Sequence, residues 1–342
     1  MKALQLVEPR QWKLVDITEP PPPANGEAVV RVHEVGICGT DYSGYIGKMP
    51  FFSYPRIPGH ELGVEVVAIG KDVTNVSPGD RCSVEPYINC QQCYSCRTGH
   101  TNCCEHHQTL GVHCDGGMRP LFTVPARKLH ISRKLSYDQL ALVETLAIGY
   151  HAVERGSPTP SEVILVIGAG PIGLSVVEFA KLSGARTVVM DTNERRLEFV
   201  RSAMNVPDTL ISTDIDGNVK ALEALCGGTL PQVVIDATGS NHSMSAALRY
   251  LSFAGRLVYV GVTSADIQFG HPLMHRRELT LLASRNALSP DFKKIIGLIE
   301  DGKIHTDPWI THRAPLDEVP AKFTEWLDPA NGVLKAVVSV GV

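Results

Sequence analysis

No stretch of this 342-residue chain is apolar for long enough to cross a bilayer; its longest runs, such as Val163–Ile167 and Leu257–Val260, have the length of strands. Basic residues are not in excess either. There are 32 Lys and Arg against 36 Asp and Glu, a net charge of -4, so no footprint for nucleic acid or for an anionic membrane surface is present. Met1–Lys13 lacks the apolar core of a secretory signal, and a cytoplasmic location is expected. Internal repeats are absent. The one low-complexity run, Pro20–Pro23, reads as an exposed loop between two early strands. What remains is an ordinary globular balance, 44% hydrophobic and 20% charged, in a chain too long for a single core; two domains are expected.

Nine cysteines are present, and in this compartment they point to metal rather than disulfides. Cys90, Cys93, Cys96 and Cys104 have the spacing C-x2-C-x2-C-x7-C, which suits a closed, structural tetrahedral Zn2+ site. Cys103 competes with Cys104 for the fourth place, and spacing alone does not choose between them. Sets of four cysteines also hold iron–sulfur clusters. A second group lies in GICGTDYSGYIGKMPFFSYPRIPGHELG (Gly36–Gly63), where Cys38, His60 and Glu61 supply the three donor types of a catalytic zinc. Gly36, Gly39, Gly59 and Gly63 permit the irregular backbone that lets such ligands converge from loops. Any one of these residues alone would read as an ordinary core side chain.

From Met1 to about Tyr150 the pattern is of short strands, Ala28–Val35, Gly63–Ile69 and Arg81–Val84, broken by Gly and Pro. GVHCDGG (Gly111–Gly117) reads as a turn-rich loop, with His113 and Cys114 as loop residues and His106 and His107 as a solvated pair. A helical period begins at Leu142–Val153. Glu144 lies in its apolar face, which is costly unless the charge is capped, paired or near a metal.

After Glu162 the pattern becomes strand, turn, helix, strand. Gly168, Gly170 and Gly173 form G-x-G-x-x-G between a buried strand and a helix that runs to about Leu182, and Asp191 ends the next strand eighteen positions after Gly173. That arrangement sets a pyrophosphate on the helix N-terminus and a carboxylate on a ribose hydroxyl, which favours NAD over NADP. Arg195 and Arg196 follow closely, and an arginine there can take a 2′-phosphate. Gln232–Gly239, Gly255–Val262 and Leu279–Ser284 read as further parallel strands, with His242–Phe253 and Asp291–Asp301 helical. Val260 and Val262 stand at a strand end, where open α/β sheets bind ligands. Gly332–Val340 closes the chain as a β segment returning to the first domain.

GICGTD, PGHE, the four-cysteine lobe, the Glu144 segment and IGAGPIG with Asp191 occur here in one order and span nearly the whole chain. In this the sequence resembles the zinc-dependent medium-chain dehydrogenases/reductases of the alcohol, sorbitol and threonine dehydrogenase group. FFSYPR, CQQC, TNCCE, GVHCDGG and SRNA look more narrowly like bacterial sugar-acid dehydrogenases of the L-galactonate or L-gulonate 5-dehydrogenase kind. The resemblance implies an α/β protein. A GroES-like, mostly β catalytic domain (1–149, rejoined by 287–342) would be joined to a doubly wound parallel-sheet Rossmann domain (150–286), with the active site in the cleft and a homodimer or homotetramer as the assembly. It implies one catalytic and one structural zinc per chain, with Glu144 as a ligand or water-holding neighbour of the first. It places NAD on Gly168, Gly170, Pro171, Ile172, Gly173, Asp191, Arg196, Val260, Val262, Ser284 and Arg285. Thr40 matches the hydroxyl that takes the substrate proton, and Asp41 a residue orienting a ligand.

Two places depart from the family pattern. Where members often carry a relay histidine, this chain has Ser43, so a serine hydroxyl or a water must continue the proton path. DGGMRPLF also puts Arg119 at an unusual position, where a surface salt bridge is expected rather than a substrate contact. The implied reaction is NAD-linked oxidation of a secondary alcohol of a polyol or sugar acid to a ketone. The alternatives are an alcohol or threonine dehydrogenase of the same fold and, more remotely, a non-catalytic NAD-binding protein. Charge counting adds one expectation. Zn2+ with thiolate Cys38, neutral His60 and one carboxylate is neutral, so only one of Glu61 and Glu144 should bind directly when substrate is present.

Overall fold

The computed structural model describes residues Met1–Gly341. The chain divides into two compact units. One comprises Met1–Glu144 and the chain from Leu288 onward, and the other Thr145–Ala287. The first crossing falls inside the helix Tyr137–Gly156, whose apolar period begins five residues before Leu142 and continues past Val153.

The first unit is built on a seven-stranded sheet. The strand Glu27–Gly36, buried at most of its positions, pairs antiparallel with Glu61–Ile69, with Leu121–Pro125 and with the late strand Lys335–Ser339. The register has two consequences. Gly36 stands opposite Glu61, and Val337 stands opposite Gly36, so the end of the chain is brought beside the segment that carries Cys38. Only glycine suits position 36, because a Cβ there would lie 2.1 Å from Glu61 Oε2. Ser132 Oγ donates to Glu300 at 2.5 Å, a further tie between the two sequence-distant parts of this unit.

The second unit holds a six-stranded parallel sheet. Its strands run in the spatial order Thr209–Ile211, Arg186–Asp191, Val163–Ile167, Val233–Asp236, Arg256–Tyr259, Thr280–Ala283. In chain order that is 3-2-1-4-5-6, the doubly wound arrangement whose ligands bind outside the carboxyl ends of the strands. Buried Leu165, Ile167, Val188, Val234 and Leu257 join the strands to helices through one apolar cluster. The periodicity of His242–Phe253 overstates the helix there. The α-helix spans Asn241–Ala246, a 3₁₀ turn covers Ala247–Tyr250, and the chain leaves helical geometry at Leu251.

Candidate functional site

Cys38 stands one residue, Ile37, beyond the strand Glu27–Gly36 and is the N-cap of the helix Gly39–Tyr45. Its backbone N–H donates to Asp41 Oδ2 at 2.9 Å, which fixes the turn that presents the thiol. Asp41 is buried, and its second oxygen, Oδ1, stands 3.9 Å from His60 Nδ1, too far for a hydrogen bond. The ligand atoms of Cys38, His60 and Glu61 all lie within 4.8 Å of one another. Bonds of about 2.0–2.3 Å to a tetrahedral ion would place such atoms about 3.3–3.8 Å apart, so the set needs only a small contraction to hold zinc. Electrostatics point the same way. Burial pushes the His60 imidazole toward its neutral form, but Asp41 and Cys38 outweigh it and raise its affinity for a proton well above the ordinary value. A sulfur, a nitrogen and a carboxylate that together favour a buried positive charge fit Zn2+, with one of four positions left open.

The two glutamates differ. Glu61, fully buried, receives Lys335 Nζ at 2.7 Å on each carboxylate oxygen, and the same ammonium reaches Ile37 O at 3.3 Å. Glu144 is also buried but stands outside the three-residue ligand set; its Oε1 accepts the hydroxyl of Tyr87. Burial raises the Glu144 carboxyl, nearby His60 draws it back and Glu61 raises it further, so it still feels the centre. Thr40 and Ser43, both half-buried, sit on the helix that Cys38 caps.

GVHCDGG turns out to be the scaffold of the PGHE segment. Gly116 N–H donates to Ile57 O at 2.7 Å, Gly117 N–H to Gly59 O at 2.9 Å and Met118 N–H to Pro58 O at 3.0 Å. A Cβ at Gly116 would fall 2.2 Å from Gly59 O, and Gly59 itself has φ +101°. Of the pair His106 and His107, His106 is exposed. His107 is half-buried, with Nε2 2.8 Å from Thr109 Oγ1 and its ring 6.0 Å from that of Tyr87. Among the described residues Arg119 makes no salt bridge. It is half-buried, donates to the Asp115 carbonyl at 3.2 Å and lies 5.3 Å from the centre of the Phe122 ring.

The four sulfurs of Cys90, Cys93, Cys96 and Cys104 also converge within 4.8 Å, and the structure chooses Cys104, leaving Cys103 exposed. Backbone N–H groups of Cys93 and Gln92 point at Cys90 Sγ (3.3 and 3.4 Å), and those of Cys90 and His106 at Cys104 Sγ (3.3 Å each). Such donors stabilise thiolate, the form that binds metal. Backbone donors bring Cys93 down to about 6, whereas burial pushes Cys104 up to about 11. All nine cysteines are free thiols.

In the second unit, Gly168 has φ +96° and Gly170 caps the helix Pro171–Leu182, with Pro171 in its first turn and Ile172 beside it. A Cβ on Gly173 would meet Gly168 O at 1.7 Å, whereas one on Gly170 would meet only Arg196 Nη1, at 3.8 Å. The space over Gly170 is therefore of a kind that a pyrophosphate can use, with a guanidinium beside it. Asp191 accepts from Ala169 N–H at 2.6 Å and Asn193 N–H at 2.7 Å, which aims its carboxylate at the end of the strand. Val260, Val262, Ser284 and Arg285 follow the carboxyl ends of Arg256–Tyr259 and Thr280–Ala283, on the same edge of the sheet.

Lys335 and Tyr87 are the two residues at the centre that motif reading does not find. A lone lysine in the apolar run GVLKAVVSV was the available signal, by the same burial argument that singles out Glu144.

Residues 24–133 match the alcohol dehydrogenase GroES-like domain family and residues 171–301 the zinc-binding dehydrogenase family. Among characterised relatives, L-galactonate-5-dehydrogenase of Escherichia coli K12 is 38% identical over 99% of this chain and 99% of its own. L-arabinitol 4-dehydrogenase of Aspergillus oryzae is 32% identical over 92% of this chain and 86% of its own. Of solved structures, an alcohol dehydrogenase (rspB) of E. coli CFT073, complexed with NADH, superposes with a TM-score of 0.91 at 28% identity, covering 99% of each chain.

Proposed function

The chain belongs to the zinc-binding alcohol dehydrogenase family, with its GroES-like domain, and from that premise we propose that it oxidises a secondary alcohol of a sugar acid or polyol to a ketone with NAD. The observation that carries this reading is the convergence of Cys38, His60 and Glu61, in a chain that also holds the Gly168–Gly173 turn and Asp191. Cys38, His60 and Glu61 hold the catalytic zinc, with Glu144 beside them, and Cys90, Cys93, Cys96 and Cys104 hold the structural one. When bound, zinc lowers the pKa of a coordinated hydroxyl, as it takes water from about 16 to about 7, and NAD accepts the hydride.

The chain's own residues do the rest. Asp41 fixes the turn at Cys38 through its bond to the Cys38 N–H, and its other carboxylate oxygen places a negative charge 3.9 Å from His60 Nδ1, which favours a cation at the centre. Thr40 accepts the proton of the substrate hydroxyl, and Ser43, in the helix position usual for a relay histidine, passes it toward solvent. Gly168, Gly170, Pro171, Ile172 and Gly173 receive the pyrophosphate at the helix N-terminus. Asp191 takes the ribose hydroxyls, with Arg196 near the phosphates and Val260, Val262, Ser284 and Arg285 along the strand ends. For each turnover one hydride goes to the nicotinamide and one proton to solvent.

A sugar acid or polyol is favoured by what the two characterised relatives act on. A cytoplasmic location is supported by the composition, and among the described residues no helix is long and apolar enough to cross a membrane. A homodimer or homotetramer is supported by Thr280–Ala283, an edge strand whose outer side can pair with a second copy. The deciding test is NADH formation across a panel of sugar acids, polyols, simple alcohols and threonine. Turnover with sugar acids or polyols, lost in Cys38→Ala with the fold retained, is expected. NADH from simple alcohols or threonine alone would reassign the substrate, and none from any of them would remove the enzyme reading.

A further inference from the structure

Two buried carboxylates stand at the Cys38–His60 centre, each under its own restraint. Glu61 is held by Lys335. Glu144 is held by the hydroxyl of Tyr87, a residue 2% exposed. Tyr87 is itself anchored from three sides. Its backbone pairs with Thr109, and its ring meets Phe292 edge-on with centroids 6.4 Å apart. Two residues earlier, Glu85 N–H donates to Lys128 O at 2.8 Å, while the Glu85 carboxylate accepts from Lys128 Nζ and lies 3.4 Å from His130 Nε2. The His130 ring stacks on Phe292, centroids 5.0 Å apart, which closes the bracket. The phenol is thus a fixed donor, and Glu144 is the partner that would move.

We propose that Tyr87 is a positioning residue for Glu144: its hydroxyl keeps this carboxylate beside the metal ligands rather than among them, so that Cys38, His60 and Glu61 leave one position open to substrate. This rests on the zinc reading of the site. A fourth protein ligand would close a tetrahedral site, which is the difference between a structural and a catalytic zinc. A phenol suits the task because it donates one hydrogen bond without adding charge. Without that hydrogen bond, the buried carboxylate must find another partner, and a metal ion held by Cys38, His60 and Glu61 would offer one.

The test uses the full chain loaded with Co2+ in place of zinc, as wild type, Tyr87→Phe, Glu144→Gln and the double variant. In Tyr87→Phe, entry of Glu144 should change the intensity and position of the visible cobalt bands. It should also slow metal release to a chelator by about tenfold, on the scale by which residues behind the ligands tune metal sites. The KM for substrate should rise as the open position is contested. Both spectral and release effects should vanish in the Glu144→Gln background, because the amide is a poor ligand. A Tyr87→Phe spectrum and release rate equal to wild type would overturn the proposal, as would effects that persist unchanged when Glu144 is Gln. The spectra need no turnover. Absence of NADH with every substrate condemns the enzyme reading, whereas an unaltered spectrum in an active Tyr87→Phe enzyme condemns this one.

Discussion

Lys335 Nζ lies 2.7 Å from both carboxylate oxygens of Glu61, a contact between positions 274 residues apart. It changes the charge balance of the centre. A divalent ion, the Cys38 thiolate and Glu61 are together neutral. Lys335 adds a positive charge, and Glu144 nearby offsets it. Counted without the lysine, a second carboxylate makes the centre negative; the lysine reduces that excess, while the buried Asp41 carboxylate beside His60 adds to it.

Replacing Lys335 with Met should test that balance. Removing one partner of a buried pair leaves the other uncompensated, at a cost of about 3–5 kcal/mol. The zinc-free protein should therefore melt well below wild type. Zinc supplies the missing positive charge beside Glu61, so the zinc-loaded variant should recover part of the loss. Melting temperatures of both forms, with and without zinc, decide this; equal losses in the two forms would mean that the pair has nothing to do with the metal.

The buried Glu85 should give the protein an acid-sensitive step. Burial pushes its carboxyl up, but the His130 hydrogen bond and the Lys128 charge outweigh that and hold it below its ordinary value of 4.5. A carboxyl depressed in the folded state contributes stability that is full above the ordinary value and is lost as pH falls through the folded one. Stability of wild type should therefore fall more steeply below about pH 4.5 than that of Glu85→Gln, which starts lower and has no such carboxyl to protonate. Denaturant titrations on either side of that pH measure the two slopes, and parallel slopes would refute the assignment.

Local signals carried much of the site and little of its support. The four cysteines, PGHE and the glycine turn with Asp191 are legible because each packs its chemistry into a short span, and the structure gathers the residues of each span. Lys335 was not, because its place beside Glu61 depends on the register of Lys335–Ser339 against Glu27–Gly36, which no local pattern reveals. The turn-rich character of GVHCDGG was legible, but its supporting role, like that of Tyr87, was not, for a related reason. Their work is to hold Glu144 and the backbone of Ile57–Gly59, and a supporting role has no spacing rule.

Cys103 and Cys104 are neighbours with opposite expected behaviour. Cys104 is buried with its sulfur among those of Cys90, Cys93 and Cys96, whereas Cys103 is exposed. Cys103→Ser should change stability by no more than about 0.5 kcal/mol and leave zinc content untouched. Cys104→Ser should lose one zinc per chain and, with it, the folding free energy that a structural site contributes. Metal analysis of the purified variants separates the two. Loss of zinc from Cys103→Ser would mean that the fourth ligand has been misassigned.

The glycines of the phosphate turn should also separate, and for different physical reasons. A Cβ on Gly173 would sit 1.7 Å from the carbonyl oxygen of Gly168, a backbone atom that cannot step aside without opening the turn. Gly173→Ala should therefore destabilise the unit itself, by roughly the 1–3 kcal/mol of an overpacked site or more. Gly170 has φ -79°, which alanine adopts freely, and a Cβ there meets only the end of Arg196 at 3.8 Å. Gly170→Ala should fold and melt like wild type. Its methyl would nonetheless stand where the pyrophosphate must approach the helix N-terminus, so NADH affinity should fall at least about tenfold, near 1.4 kcal/mol. Melting curves read the first effect and fluorescence titration with NADH the second. A Gly170→Ala protein that binds NADH as tightly as wild type would place the dinucleotide elsewhere on the sheet.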